Sequence, residues 1–394
     1  MTDIPNTVRG VVADGYEEVR DVFAAVVAQE RPDYAGQLAA YVRGRKVVDL
    51  WAGPDRADGP DDGEGVDGDA LFGVFSSTKG AAHLVVALLV QEGVLDLDRE
   101  VASYWPAFAA GGKGGVTLRQ LLAHQAGVVG TDSGFTPDEV ADDRLIAERA
   151  AAQRPYWRPG TAFGYHALTI GALTGEVVLR ATGQTLHEVY EERIRAPYGL
   201  GFFLGLPQEH EPRFRSLLPM DPTPAQRAVL DASPDGPHTL AAIAFNHHTP
   251  HPTDLESLPN SRLVRAKGPA SVGGVASARG LAGMYAAAIG VLDGRPPLLK
   301  DDTAAEFGQI HSHGFDVVAR AHKSFALGFQ DPTLPYPWLG AGSFGHSGAG
   351  GSQAFADPRA GLAYGYTRRR FAFPGGAAPE NDRLVAAVHR AATR

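Results

Sequence analysis

In the stretch LFGVFSSTKGAAHLVVALLVQEG, residues 71 to 93, Ser76 lies three residues before Lys79 at the head of a long apolar helical pattern. Residues three apart on a helix share a face, so the hydroxyl and the amine become neighbours one turn apart. A serine hydroxyl is a weak nucleophile until a base takes its proton, and a lysine desolvated by burial can be that base. The first turn also offers unpaired backbone N–H groups and the positive end of the helix dipole, both suited to an oxyanion. The same residues also read as a capping serine followed by a solvated lysine. Against that stands the position of Lys79. The dipole disfavours a cation at a helix start, and the residues that follow are apolar almost all round.

Two later segments bear on the choice. WRPGTAFGYHALTIGALTGEVV places Tyr165 after a Pro-Gly turn, where the spacing predicts the start of a helix. A packing tyrosine fits the same pattern. FGHSGAGGSQAFADP puts His346, Ser347 and Gly348 on an expected strand, with glycines that let backbone N–H groups approach a ligand; a plain turn is the other reading.

The elements that must position these residues are legible in outline. Val19, Val22, Phe23, Val26 and Val27 give helical spacing over 16–29, and AGQLAAYVRGRKVVDLWAG reads as two strands about the turn RGRK. Residues 54–69, rich in Asp and Gly, read as a surface loop. Helical patterns dominate from 76 to 195, with Gly93, Gly127 and Gly183 where helix ends are expected. Residues 203–265 read as loops with short helices. ARGLAGMYAAAIG is a helix, SFALGFQ, GSFGHSGAG, GSQAFADP and GLAYGYT are short strands, and NDRLVAAVHRAA is a final helix. Strands at both ends with helices between predict an α+β sandwich: an antiparallel sheet flanked by helices, with a mainly helical lobe inserted. The expected division is 1–75 with 271–394 for the sheet lobe and 76–270 for the helical lobe, the site lying at their junction.

Composition narrows the function. At 394 residues, 44% hydrophobic and 21% charged, the chain can build a large core. A net charge of −9 and no long Lys/Arg run argue against a nucleic-acid surface. Cysteine is absent, which removes thiol chemistry. The N-terminus has acids and no continuous apolar run, so the expectation is a cytoplasmic protein without a membrane segment. No cofactor is expected. No metal is either: the histidines of NHHTPHPTD (246–254), His311 and His313 lack an HExxH spacing or a clear carboxylate partner. His124 in LLAHQAG reads as a hydrogen-bonded buried histidine or a catalytic one.

In order and approximate spacing, the three segments resemble the SxxK, YxN and KTG or HxG set of the serine β-lactamase and penicillin-binding protein superfamily. The resemblance is nearest to class C β-lactamases and the family VIII carboxylesterases that share their fold. TLRQLLAHQAG, the WRPG before the tyrosine and GPASVGGVASARGLAGMYAA add to it, and it spans about residues 16 to 390. It implies that Ser76 is acylated, that Lys79 takes its proton, and that Tyr165 shuttles the proton to the leaving group and later activates water. His346, Ser347 and Gly348 would border the cleft, the oxyanion hole would be the N–H groups of Ser76 and Ala349, and Val128 in the loop after Gly127 would line the pocket. Trp338, shortly before the third segment, reads as an acyl-pocket wall or as ordinary packing.

Two departures shift the expected chemistry. Ala167 stands where the family pattern has asparagine, and His346 where it has lysine, which removes a permanent positive charge. Both point from lactams toward neutral esters, hence a carboxylesterase acting on small esters with weak or no β-lactamase activity. An acyltransferase of the same fold, a β-lactamase or D-amino-acid peptidase, and a non-catalytic binding module are the alternatives. A neutral His346 that touches substrate predicts an acid limb at about pH 6 to 7. Nothing in the sequence addresses oligomeric state.

Overall fold

The computed structural model describes residues 7–31, 33–53, 65–232 and 236–394. The strands are β1 (Arg9–Val12), β2 (Gly36–Val42), β3 (Arg45–Ala52), β4 (Phe72–Gly73), β5 (Phe202–Phe203), β6 (Val275–Ala276), β7 (Ser312–Asp316), β8 (Ala321–Phe325), β9 (Phe344–Ser347), β10 (Gln353–Asp357) and β11 (Leu362–Arg368). Six of them form an antiparallel sheet in the order β1-β3-β2-β11-β10-β9. The two chain ends therefore meet inside one sheet, where Gly36–Val42 pairs along its full length with Leu362–Arg368.

Period-2 side-chain alternation gives this sheet two apolar faces. On one, Leu38, Ala40, Leu50, Phe355 and Tyr364 pack against α1 (Glu17–Gln29) through Val19, Phe23 and Val26, and against the C-terminal helix Asn381–Ala392 through Leu384 and Val388. On the other, Ala354, Ala356 and Ala363 meet the Ala278–Ile289 helix. Small residues allow that close approach: a Cβ on Gly365 would lie 2.5 Å from the Ala278 carbonyl oxygen.

The second face carries the site. α2 (Thr78–Gln91) is buried from Thr78 to Leu89, so it is a central helix and not an amphipathic surface one. α4 (Ile170–Thr182) packs against it, and α3 (Asp143–Ala152) packs against α4 in turn. Short helices interrupt the 203–265 region as expected.

Three local expectations change, and one of them is the strand expected at SFALGFQ, which ends at Phe325. The helix expected at Tyr165 begins at Ile170, leaving Tyr165 in an irregular segment, because its N–H and its neighbours bond to other elements. Gly127 (φ 75) is a loop turn beyond the helix Leu118–Leu122 and not its cap, whereas Gly93 (φ 73) and Gly183 (φ 79) do follow helix ends. Residues 54–64 of the expected loop, and residues 1–6 of the N-terminal segment, lie outside the described residues. Among the described residues no helix is long and apolar enough to cross a membrane.

Candidate active site

The chain enters α2 through a single 3-10 turn, Phe75–Ser77. Phe75 adopts a left-handed φ of 47° while its ring is buried against Phe371, and such a strained non-glycine residue persists only where surrounding packing fixes it. That bend presents Ser76 at the surface of the turn, partly accessible, while Ser77 and Lys79 are buried.

Lys79 Nζ lies 3.1 Å from Ser76 Oγ and donates at 2.7 Å to the carbonyls of both Ala167 and Ser271. Burial pushes its pKa well below the ordinary lysine value, and the charge of Asp143 opposes that shift. The amine also sits 4.9 Å from the centre of the Tyr165 ring. Ala167 therefore does supply an oxygen to the lysine, through its backbone and not through a side-chain amide.

Tyr165 is oriented from three directions. Its N–H donates to Asp316 Oδ1 (3.2 Å), its ring stacks on Phe325 at 5.9 Å, and His124 lies 5.3 Å away. Burial raises the phenol pKa, the Ser76 hydroxyl beside it pulls the other way, and Asp316 raises it further. His124 Nδ1 accepts the His166 N–H, and His166 Nε2 accepts the Val128 N–H, so both histidines serve as buried scaffolding for the loops around the tyrosine.

β9 carries His346 and Ser347, and the chain turns at Gly348 toward β10. This turn is stitched to the Phe75–Ser77 turn. Ser77 Oγ bonds to His346 O (3.1 Å) and Ser352 Oγ (2.9 Å), and Ser352 Oγ donates to Val74 O at 3.0 Å. A Cβ on Gly348 would lie 2.2 Å from Val74 O, which is why glycine is required there. Ala349, partly accessible, follows directly. Ser347 is held through both its N–H and its hydroxyl by Gln330 Oε1, a residue that sequence reasoning passed over. Ser271 was also missed: a backbone carbonyl acceptor leaves no residue-type signal.

His346 is fully buried beneath the Tyr165 ring, 5.9 Å away. Burial, aided by the nearby Lys79, lowers its pKa well below the usual imidazole value, with the Ser347 carbonyl opposing. The acid limb expected at about pH 6 to 7 from this ring is therefore displaced to lower pH.

Two expected pocket residues fall elsewhere. Val128 turns its side chain into the core with Leu121 and Leu173; its neighbour Val129 faces the other way and clusters with Tyr165, Ala167, Ala244 and Val318. Trp338, 40% exposed, packs on Tyr336, which lies against Phe355 on the α1 face of the sheet, opposite the site. Among the described residues no group of three or more His, Asp or Glu side chains is placed to hold a metal ion. His248 instead bonds to the carbonyls of Thr131 and Ala242.

Comparisons with known proteins agree with this geometry. The Beta-lactamase family model matches residues 19–388. Esterase/beta-lactamase LipL of Mycobacterium tuberculosis is 32% identical over 351 residues, covering 86% of this chain and 78% of its own. Among solved structures, EstA from Arthrobacter nitroguajacolicus superposes with a TM-score of 0.87 at 41% identity, covering 97% of this chain and 98% of its own. A family VIII carboxylesterase gives a TM-score of 0.85 at 31% identity, with 98% and 100% covered. With a family match running nearly end to end on an α+β fold of the same architecture, the chain belongs to the β-lactamase family.

Proposed function

We propose that the chain is a serine ester hydrolase that cleaves small neutral carboxylic esters through an acyl-enzyme on Ser76. The observation that carries this reading is the hydrogen bonding of Lys79. A neutral amine has two N–H donors and one lone pair. The carbonyls of Ala167 and Ser271 take the two donors, which leaves the lone pair for the Ser76 hydroxyl at 3.1 Å.

In the acylation step the Ser76 proton passes to Lys79 as Oγ attacks the ester carbonyl carbon. The developing oxyanion is received by the N–H groups of Ser76 and Ala349. Collapse breaks the bond to the alcohol, and the phenol of Tyr165, beside both Ser76 and the lysine, relays the proton to the departing oxygen. Water then attacks the acyl-enzyme with Tyr165 and Lys79 acting in reverse, and the acid leaves. No atom of this scheme requires a cofactor.

Three features support esters over lactams. The side chain of Ala167 offers no amide to a ligand. His346 is buried and neutral, so this position supplies no fixed charge for a substrate carboxylate. The partly accessible Trp157, Ile243, Phe245 and Val317, packed on the buried Val129, Ala167, Ala244 and Val318, offer an apolar wall beside Tyr165 suited to a short acyl chain. Of the relatives, the family VIII carboxylesterase agrees with this, whereas LipL is named for both esterase and beta-lactamase activity.

The test is intact-mass analysis after exposure to a p-nitrophenyl ester or a phosphonate, alongside turnover on esters of graded acyl length and on a cephalosporin. One adduct, on Ser76, is expected, with turnover of the esters well above that of the cephalosporin. Labelling that persists in Ser76→Ala would sink the assignment.

A further inference from the structure

Asp143 is the first residue of α3, and no catalytic role falls to it in the scheme above. Its Oδ2 accepts the Ala270 N–H at 2.8 Å. The next residue, Ser271, presents its carbonyl to Lys79 Nζ at 2.7 Å and accepts the Gly171 N–H on its hydroxyl at 2.8 Å. This Ala270–Ser271 segment is pressed against α4 without slack: a Cβ on Gly171 would lie 2.4 Å from both Ala270 C and Ser271 N. A carboxylate on α3 is thus joined to the amine on α2 through one backbone amide and one backbone carbonyl.

The plainer reading, that Asp143 complements the dipole of its helix, explains less. Asp142 already caps α3 by accepting the Leu145 N–H, and a dipole asks for no bond to Ala270. Asp143 Oδ1 is, in addition, buried without a hydrogen-bond partner, an arrangement that costs stability and calls for a reason.

We propose that Asp143 is a positioning residue for Lys79: through Ala270 it fixes the Ser271 carbonyl that holds the amine, and it places a negative charge behind that amine. The proposal rests on the hydrolase reading. Its electrostatic half agrees with the opposition between burial and Asp143 at Lys79. The other ionisable groups that face Asp143 are His187, Asp142 and Lys79, with Lys267 paired to Asp142. Arg144 and Glu176, the latter held by Arg180, border the same cavity of about 210 Å³.

Two substitutions separate the halves. Asp143→Asn keeps an oxygen for the Ala270 N–H and removes the charge; Asp143→Ala removes both. Lys79 must be neutral to take the Ser76 proton, and Asp143 favours the ammonium where it is ionised: burial raises the Asp143 pKa, while His187, the Ala270 N–H and Lys79 pull it down. Removing that charge lowers the Lys79 pKa, so the acid limb of kcat/KM moves to lower pH. The expected displacement in Asp143→Asn is about 0.5 pH unit or more, with little change at the plateau. Asp143→Ala adds a loss of about tenfold in plateau kcat, because the amine is no longer held in register with Ser76.

The experiment is the pH profile of p-nitrophenyl ester cleavage for the wild type and both variants, with Ser76 acylation followed by intact mass. A limb displaced as stated supports the proposal. A wild-type limb in Asp143→Asn overturns it, including the case of a rate lowered equally at every pH, which is the signature of a merely structural role. If Asp143→Ala does not fold, the limb of Asp143→Asn still decides. Absence of any Ser76 adduct in the wild type is a separate result: it overturns the hydrolase reading and this proposal with it.

Discussion

Among the described residues two lysines are fully buried, and they meet different partners. Lys113 sits beyond the kinked turn Pro106–Gly112, where its Nζ donates to the carbonyls of Ala110, Ala151 and Gln153, with the Phe108 ring 5.5 Å away. Lys79 donates to two carbonyls and meets the Ser76 hydroxyl as its third neighbour. Burial lowers the pKa of both, Lys113 to about 8. Desolvation is therefore not what makes a lysine a base. Three carbonyls match the three donors of an ammonium, and none of them has a proton to give. Two carbonyls and a hydroxyl can serve either form, because the hydroxyl can accept from an ammonium or give its proton to a neutral amine.

The largest test of this contrast is to remove each amine in turn. Lys79→Ala should lose about 10² to 10⁴ in kcat on a p-nitrophenyl ester, the range for a lost general base. Lys113→Ala should stay within about threefold of wild type, since it touches no group of the site. A near-normal rate in Lys79→Ala would end the assignment of Lys79 as base. Tyr165→Phe comes next, with a loss of about 10² in kcat: the ring still packs on Phe325, but the relay hydroxyl is gone. A loss confined to KM would make Tyr165 a binding residue instead.

How much of this contrast could be read from sequence follows from which atoms act. Ser76 and Lys79 were legible because their relation is local, three residues on one turn. The identity of Tyr165 was legible as well, but its setting was not. The residue that fixes its backbone, Asp316, is 151 positions away, and the helix expected at Tyr165 starts only at Ile170. Val128 was misplaced because both valines of the loop are buried but in different apolar clusters, and the sequence does not say which of the two lies beside Tyr165. Trp338 was misplaced for a similar reason. Nearness in sequence to β9 does not tell which face of the sheet a loop covers. The carbonyls of Ala167, Ser271, Ala151 and Gln153, which separate the two lysines chemically, belong to the backbone that every residue has. That strands from the two chain ends share one sheet was legible, since they have few other partners, but the order of the strands was not.

A smaller effect sharpens the contrast from the side of folding. Lys113→Met removes the only donors that Lys113 brings to three carbonyls, and should cost about 2 to 4 kcal/mol by urea unfolding, with activity kept in the folded fraction. Lys79→Met should cost less. It leaves only the Ala167 and Ser271 carbonyls without their donor, and it relieves the desolvation of an amine held for chemistry. Equal losses from the two substitutions would show that Lys79 is also a structural clamp.

The smallest effect is the pH dependence of that stability, and its sign is fixed. The folded pKa of Lys113, about 8, lies below its unfolded value of about 10.4. Between these values the unfolded chain binds more protons, so unfolding free energy from this group rises with pH. Below pH 8 both states carry the charge and the desolvation cost is present in full; above about 10.4 both are neutral and it is gone. The Tm of the wild type relative to Lys113→Met should therefore increase by about 1 to 3 °C from pH 8 to pH 10, measured at fixed ionic strength. A gap that narrows would mean that the three carbonyls hold the ammonium more strongly than burial opposes it. Lys113 would then titrate above the solvent value, and the two lysines would differ in the direction of their shifts as well as in their partners.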